Sequence, residues 1–234
     1  MAGDLPPHLR AVLPPPTRQT WMALVGNLPP GAYLVGGTGI AAHLGHRVSR
    51  DLDFFVGEPF EPQQLVRRLE RLGPFAPTQL APGTVNGYLG ETRIQFLDAA
   101  DQYPVEPIAE IGAMPIAGLR DLLATKLKVI GDRGELRDYF DLLVLERDAG
   151  YRVEEGLGIF IDRYRPATPE AAVLHIVRGL GYFGDVADDP ALPATRQEIE
   201  TYWTGRQPEI VRSLDWLTGL EGRRPRPPGP ELSR

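Results

Sequence analysis

The chain has no cysteine at all, which excludes disulfides and thiolate metal sites and leaves carboxylates and imidazoles to hold any metal. Oxygen donors suit a hard ion such as Mg²⁺ or Mn²⁺ better than Zn²⁺. No apolar run approaches the roughly 18 residues that a membrane span needs, and the start lacks a basic stretch followed by an apolar one. The expectation is a cytoplasmic protein without a membrane partner. Lysine is nearly absent: of 25 basic residues, only Lys126 and Lys128 are lysines. The net charge of −6 argues against broad, non-specific nucleic-acid binding, though not against a local basic surface.

What is present is enough for one large domain or a core with a smaller helical part: 234 residues, 42% of them hydrophobic. Both ends are proline-rich, so residues 1–16 and 221–234 are expected to be extended and flexible, with a first helix from Thr17. Apolar periodicity between them predicts strands over 32–36 and 51–56, helices over 38–44 and 61–72, and further strands near 78–80, 84–89 and 92–97. From Leu119 the pattern turns helical, over 119–131, 135–147, 153–164, 169–180 and 195–218. This predicts an α/β (α+β) protein, with a small mixed-sheet core over 17–116 and a helical lobe over 117–220 that contributes to the site.

The chemistry centres on Asp51-Leu52-Asp53-Phe54-Phe55. Strand alternation puts Asp51 and Asp53 on one face and Leu52 and Phe54 on the other. Two carboxylates so close repel unless a cation or a pKa shift relieves them. A divalent ion does so, and it also activates a hydroxyl and a phosphate leaving group. Upstream, Tyr33-Leu34-Val35 runs into Gly36-Gly37-Thr38 and a helix, where glycines let backbone N–H groups approach an anion. Thr38 fits either an N-cap or a phosphate ligand. Lys126 lies on the apolar stripe of its helix with Leu119, Leu122, Leu123 and Ile130, so it needs an anionic partner. Arg133 falls on the same face. The next helix is apolar almost all round yet carries Asp138 and Asp141, one turn apart, for which Lys126, Arg133 and Arg137 are the nearby partners. A structural ion pair and a catalytic role both fit these acids. His43 fits a core position, and His46-Arg47 lies close enough to Asp51 to reach a nucleotide.

Leu34-Val35-Gly36-Gly37-Thr38-Gly39-Ile40-Ala41, then His46-Arg47, Ser49 and Asp51-Leu52-Asp53-Phe54-Phe55, resembles the first motif of AbiEii/AbiGii-type toxin nucleotidyltransferases. Asp121-Leu122-Leu123-Ala124-Thr125-Lys126-Leu127, with Arg133 and Arg137-Asp138-Tyr139-Phe140-Asp141-Leu142, resembles their later motif. Tyr182-Phe183-Gly184-Asp185 is similar to their helical C-terminal region. The resemblance implies a polymerase-β-like fold, Mg²⁺-dependent use of an NTP, an RNA acceptor such as a tRNA 3′ end or a protein hydroxyl, and a cognate antitoxin. Carried over, it gives phosphate contacts to Gly36, Gly37, Thr38, Arg47, Ser49, Lys126 and Arg133. It gives metal binding to Asp51 and Asp53, and support of the site to Asp138 or Asp141.

One position departs from the pattern. Polymerase-β-like enzymes often carry a third carboxylate on a neighbouring strand, and the corresponding segment here, Thr92-Arg93-Ile94-Gln95-Phe96-Leu97-Asp98, has neutral Gln95. Asp98 falls on the other face unless a bulge intervenes. Two readings follow: an active nucleotidyltransferase, or a catalytically weakened nucleotide-binding module that acts through a partner. A dinucleotide-binding domain is excluded, since no third glycine or suitably spaced acid follows Gly36-Gly37.

Overall fold

The computed structural model describes residues 5–214, without the side chain of Arg133. Its strands are β1 (Ala32–Val35), β2 (Leu52–Val56), β3 (Phe75–Ala81), β4 (Thr84–Leu89), β5 (Thr92–Asp98), β6 (Ala109–Ile111) and β7 (Met114–Ile116). They form one mixed sheet in the order β3-β4-β5-β2-β1-β7-β6. The central pairs are β1 with β2, antiparallel, and β2 with β5, parallel.

Alternation along the strands builds two cores. Leu34, Leu52, Phe54 and Phe96 face one side and pack with Leu9, Trp21 and Leu65. Those three come from α1 (Pro7–Val12), α2 (Pro15–Leu24) and α4 (Pro62–Glu70). Tyr33, Val35 and Phe55 face the other side and join a second core. That core is built by α5 (Leu119–Arg133), α6 (Leu136–Arg147), α7 (Val153–Tyr164), α8 (Pro169–Leu180) and α9 (Arg196–Arg212). The sheet is therefore sandwiched, and the face carrying Asp53 looks toward the helical lobe. No helix among the described residues is long and apolar enough to cross a membrane.

The start of the chain differs from expectation. Residues 7–12 are helical rather than extended, and Leu9, Val12 and Leu13 are buried. The prolines start helices here instead of preventing them. Pro7 opens α1 and Pro15 opens α2, positions where the missing N–H costs nothing and φ is already helical. Strands β6 and β7 were not foreseen. Each has three residues, and Gly112 and Ala113 between them both take positive φ, with alanine where turn chemistry favours glycine or asparagine. The end of the predicted 195–218 helix and the tail 221–234 lie outside the described residues.

Candidate active site

The sheet register puts the acids in place. Val35 stands opposite Asp53 across β1 and β2, and Asp53 stands beside Gln95 across β2 and β5. Asp51 lies one residue before β2, with Arg93 Nη1 4.0 Å from its Oδ2. The β2–β5 ladder runs without a register break from Leu52–Ile94 to Val56–Asp98. Asp98 therefore keeps to odd spacing from Gln95, where its carboxylate accepts the Ala100 N–H. It does not replace the missing acid.

The glycine pair has a packing reason beyond backbone approach to an anion. Gly36 has φ +68°, and a Cβ there would lie 2.7 Å from Asp53 Oδ2. At Gly37 a Cβ would collide with an Arg47 guanidinium nitrogen. Both glycines clear space for the charged side chains of the site. Helix α3 (Gly36–Leu44) starts here with no side-chain cap, leaving its first-turn N–H groups without intrahelical partners.

Thr38 is neither the cap nor a cavity residue. Its buried hydroxyl bonds the Asp51 carbonyl oxygen and sits 2.6 Å from Ser49 Oγ. One hydroxyl proton serves one acceptor, so if Thr38 donates to Asp51, Ser49 must donate to Thr38. The Ser49 N–H is also taken, by Val12 O at 2.9 Å. Thr38 and Ser49 thus fasten the segment that leads to Asp51, and Ser49 keeps only acceptor capacity toward the cavity.

Lys126 finds the anions that its place on an apolar stripe demands. Its Nζ lies 2.5 Å from Asp138 Oδ1 and 2.9 Å from Asp141 Oδ2. Asp138 also accepts the Glu135 N–H in a capping box at the start of α6. Asp141 is fully buried and accepts from Arg47 Nε (2.6 Å), Arg47 Nη2 (2.8 Å) and His46 Nε2 (2.7 Å). Burial alone would push the Asp141 carboxyl up. The charges of Lys126 and Arg47, with hydrogen bonds from Arg47 and His46, outweigh this and hold it well below the usual carboxylate range. Burial likewise disfavours the Lys126 charge, and Asp141 and Asp138 raise its pKa nonetheless.

Gly36, Gly37, Arg47, Ser49, Asp51, Asp53, Lys126 and Asp138 line one cavity of about 350 Å³. Thr38 and Asp141 stand behind its wall. His46 points at Asp141, and His43 bonds the Ala117 carbonyl. The Arg133 side chain lies outside the described residues. Sequence reasoning overlooked Arg50 and Arg93 as cavity residues and took Arg137 only as a partner for acids. Arg93 had a signal: two positions before Gln95 on one strand, it must share that face. Asp121, in the same helix as Lys126, is buried and ion-paired to Arg163 Nη1 at 2.5 Å.

Asp53 records the crowding of the acids. Burial, then the nearby Asp51 charge, push its carboxyl up to about 6. Among the described residues no three or more His, Cys, Asp or Glu side chains cluster so as to hold a metal. Two carboxylates beside the Gln95 amide still fit a hard ion of the Mg²⁺ kind, which usually keeps several waters and takes one or two carboxylates plus substrate oxygens.

Residues 23–87 match the family model described as "Nucleotidyl transferase AbiEii toxin, Type IV TA system". The matched segment contains β1, α3 and β2, and so the Gly36-Gly37 turn and both acids. Over this segment the chain is similar to the AbiEii nucleotidyltransferases. An uncharacterized protein of Aquifex aeolicus is 29% identical over 177 residues, covering 73% of this chain and 80% of that protein. Among solved structures, a proposed nucleotidyltransferase from Helicobacter pylori is 19% identical, covering 86% of this chain and 96% of that one, with a TM-score of 0.53. JHP933, also from Helicobacter pylori, is 17% identical and covers 92% of this chain and 97% of that one, with a TM-score of 0.52. At these identities the two structures speak to fold alone. The AbiEii resemblance, the mixed α/β class and the assignment as a nucleotidyltransferase are borne out.

Proposed function

We propose that this chain moves a nucleoside monophosphate from an NTP to a hydroxyl of RNA, such as a tRNA 3′ end, or of a protein, as the toxin of a toxin–antitoxin or phage-defence pair. One observation carries the proposal: Asp51 and Asp53 share a cavity with the uncapped start of α3 and with Arg50, Arg93 and Arg137. The charges explain the division of labour. Arg47 and Lys126 are held by the buried Asp138 and Asp141, so the triphosphate is met by Arg50, by Arg93 and Arg137, whose partners Asp51 and Glu135 are solvent-accessible, and by backbone N–H groups of the glycine turn. Lys126 spends two of its three N–H groups on the acids, which leaves one for a phosphate oxygen.

Asp51 and Asp53 would hold the divalent ion, Mg²⁺ or Mn²⁺, which supplies activation of the acceptor hydroxyl and stabilisation of the departing pyrophosphate. Gln95 Oε1 can accept a hydrogen bond from that hydroxyl and orient it. It cannot take the proton, which passes to water. A second reading, a nucleotide-binding module acting through a partner, is favoured by the neutral Gln95 beside Asp53.

The two are separated by incubating the protein with each α-labelled NTP, Mg²⁺ and total RNA. Labelled RNA from wild type, absent with Asp51→Ala, supports transfer. NTP binding without transfer to RNA or protein, under any of the four NTPs, supports the binding module. If transfer occurs, co-expression of the product of the neighbouring gene should relieve growth arrest.

A further inference from the structure

The carboxylate cavity opens into a larger one of about 640 Å³, and Gly36, Asp53, Gln95, Thr125 and Val129 line both. Their chemistry differs. The smaller lobe gathers the Arg and Lys groups. The larger has only Asp53, Asp98 and Lys128 as charged residues, and Lys128 Nζ is 2.5 Å from Asp132. Phe55, Leu97, Val129 and Tyr164 give it apolar and aromatic walls.

Its polar groups can be counted. Thr125 Oγ1 donates to the Asp121 carbonyl and accepts from Tyr164 OH, so both hydroxyls are committed. Gln102 is oriented. Its Oε1 accepts from Arg163 Nη2 at 3.1 Å. Arg163 is fully buried and fixed by Asp121 and Tyr33 OH. A guanidinium only donates, so the Gln102 amide cannot flip, and its NH₂ is left with two uncommitted donors. The Gln95 amide has no hydrogen-bond partner among the described residues.

We infer that this second lobe is a nucleoside subsite in which Gln102, locked by Arg163, donates to an acceptor-bearing edge of an uncharged base. Apolar walls with Tyr164 offer a stacking surface, and Gln95 and Gln102 provide edge contacts. The scarcity of uncommitted cations makes the lobe unfit for phosphates. The inference rests on the nucleotidyltransferase reading, and the nucleoside comes from the NTP or from the acceptor's last nucleotide.

Gln102→Glu discriminates, because it keeps an oxygen for Arg163 and replaces only the free NH₂. Binding of tripolyphosphate, the four NTPs and a short single-stranded RNA is measured with Mg²⁺ by calorimetry. Tripolyphosphate should bind within twofold of wild type. Loss of one buried hydrogen bond should weaken the nucleoside-bearing ligand about tenfold or more and flatten base preference. If NTPs weaken, the lobe takes the donor's base; if only RNA weakens, it takes the acceptor's. Leu97→Trp, which puts an indole into the lobe and narrows it, should do the same without touching Arg163. Normal affinity for all nucleotides in both folded variants overturns the subsite while leaving the function intact. A wild type that binds neither tripolyphosphate nor any NTP or RNA overturns both.

Discussion

Lys126 and Asp53 lie in one cavity, yet their replacement should have opposite effects on stability. Removing Lys126 leaves Asp138 and Asp141 with less compensation in a buried setting. Breaking such a pair on one side costs about 3–5 kcal/mol. Lys126→Met should therefore lower the melting temperature by roughly 10 °C for a chain of this size. A variant that melts with wild type would show that Arg47 and His46 alone satisfy Asp141. Asp53 sits in the reverse situation, raised to about 6 by burial and by Asp51. Asp53→Ala relieves that repulsion. In metal-free buffer near pH 7.5 it should melt no lower than wild type, while nucleotidyl transfer disappears. Retained transfer in the folded variant would remove Asp53 from the reacting centre.

At the scale of elements, the β1–α3–β2 unit was legible because its signals are local. Alternation in Leu52–Val56 and the glycine pair fix strand, turn and helix within a few residues, whereas the placing of Gln95 beside Asp53 came from the family resemblance, because period two sets faces and not cross-strand register. The partners of Asp141 were not legible. Arg47 and His46 are more than ninety positions away in sequence, and only the packing of α3 against α6 brings them together. Nor was the clamp on the segment before Asp51. Val12 O holds Ser49 N–H, Thr17 Oγ1 donates to Arg50 O at 3.1 Å, and Thr38 Oγ1 bonds Asp51 O. Helices α1 and α2 thereby position Asp51, although their prolines had suggested a loose lead-in. Thr17→Val removes one of these bonds at a cost of about 1 kcal/mol. Amide exchange should accelerate across residues 49–52 while exchange in α6 and α9 stays unchanged. Uniform acceleration would mean that Thr17 supports the whole core rather than this segment.

For the whole molecule, the charged cluster around Asp141 joins the sheet core to the helical lobe: His46 and Arg47 follow α3, Lys126 comes from α5, and Asp138 and Asp141 from α6. This junction should set the acid limit of the fold. Asp141 is held below its ordinary value in the folded state, whereas in the unfolded chain it titrates near pH 4. The unfolded state therefore binds the proton first as pH falls. The Asp141 contribution is complete above about pH 4 and is lost progressively below it. Asp53 acts in the opposite direction between about pH 6 and pH 4, because its folded value is raised. Comparing wild type with Asp141→Asn cancels the Asp53 effect, since both proteins carry Asp53. Denaturant unfolding at pH 7, 5, 4 and 3 should show a constant gap of a few kcal/mol between the two proteins from pH 7 to 5. The gap should narrow below pH 4, as wild type loses what the variant never had. Salt should change it little, because buried pairs are screened far less than surface ones. A gap that stays constant down to pH 3 would mean that the Asp141 charge contributes nothing to joining the two halves, and that hydrogen bonds an asparagine can also accept hold them together.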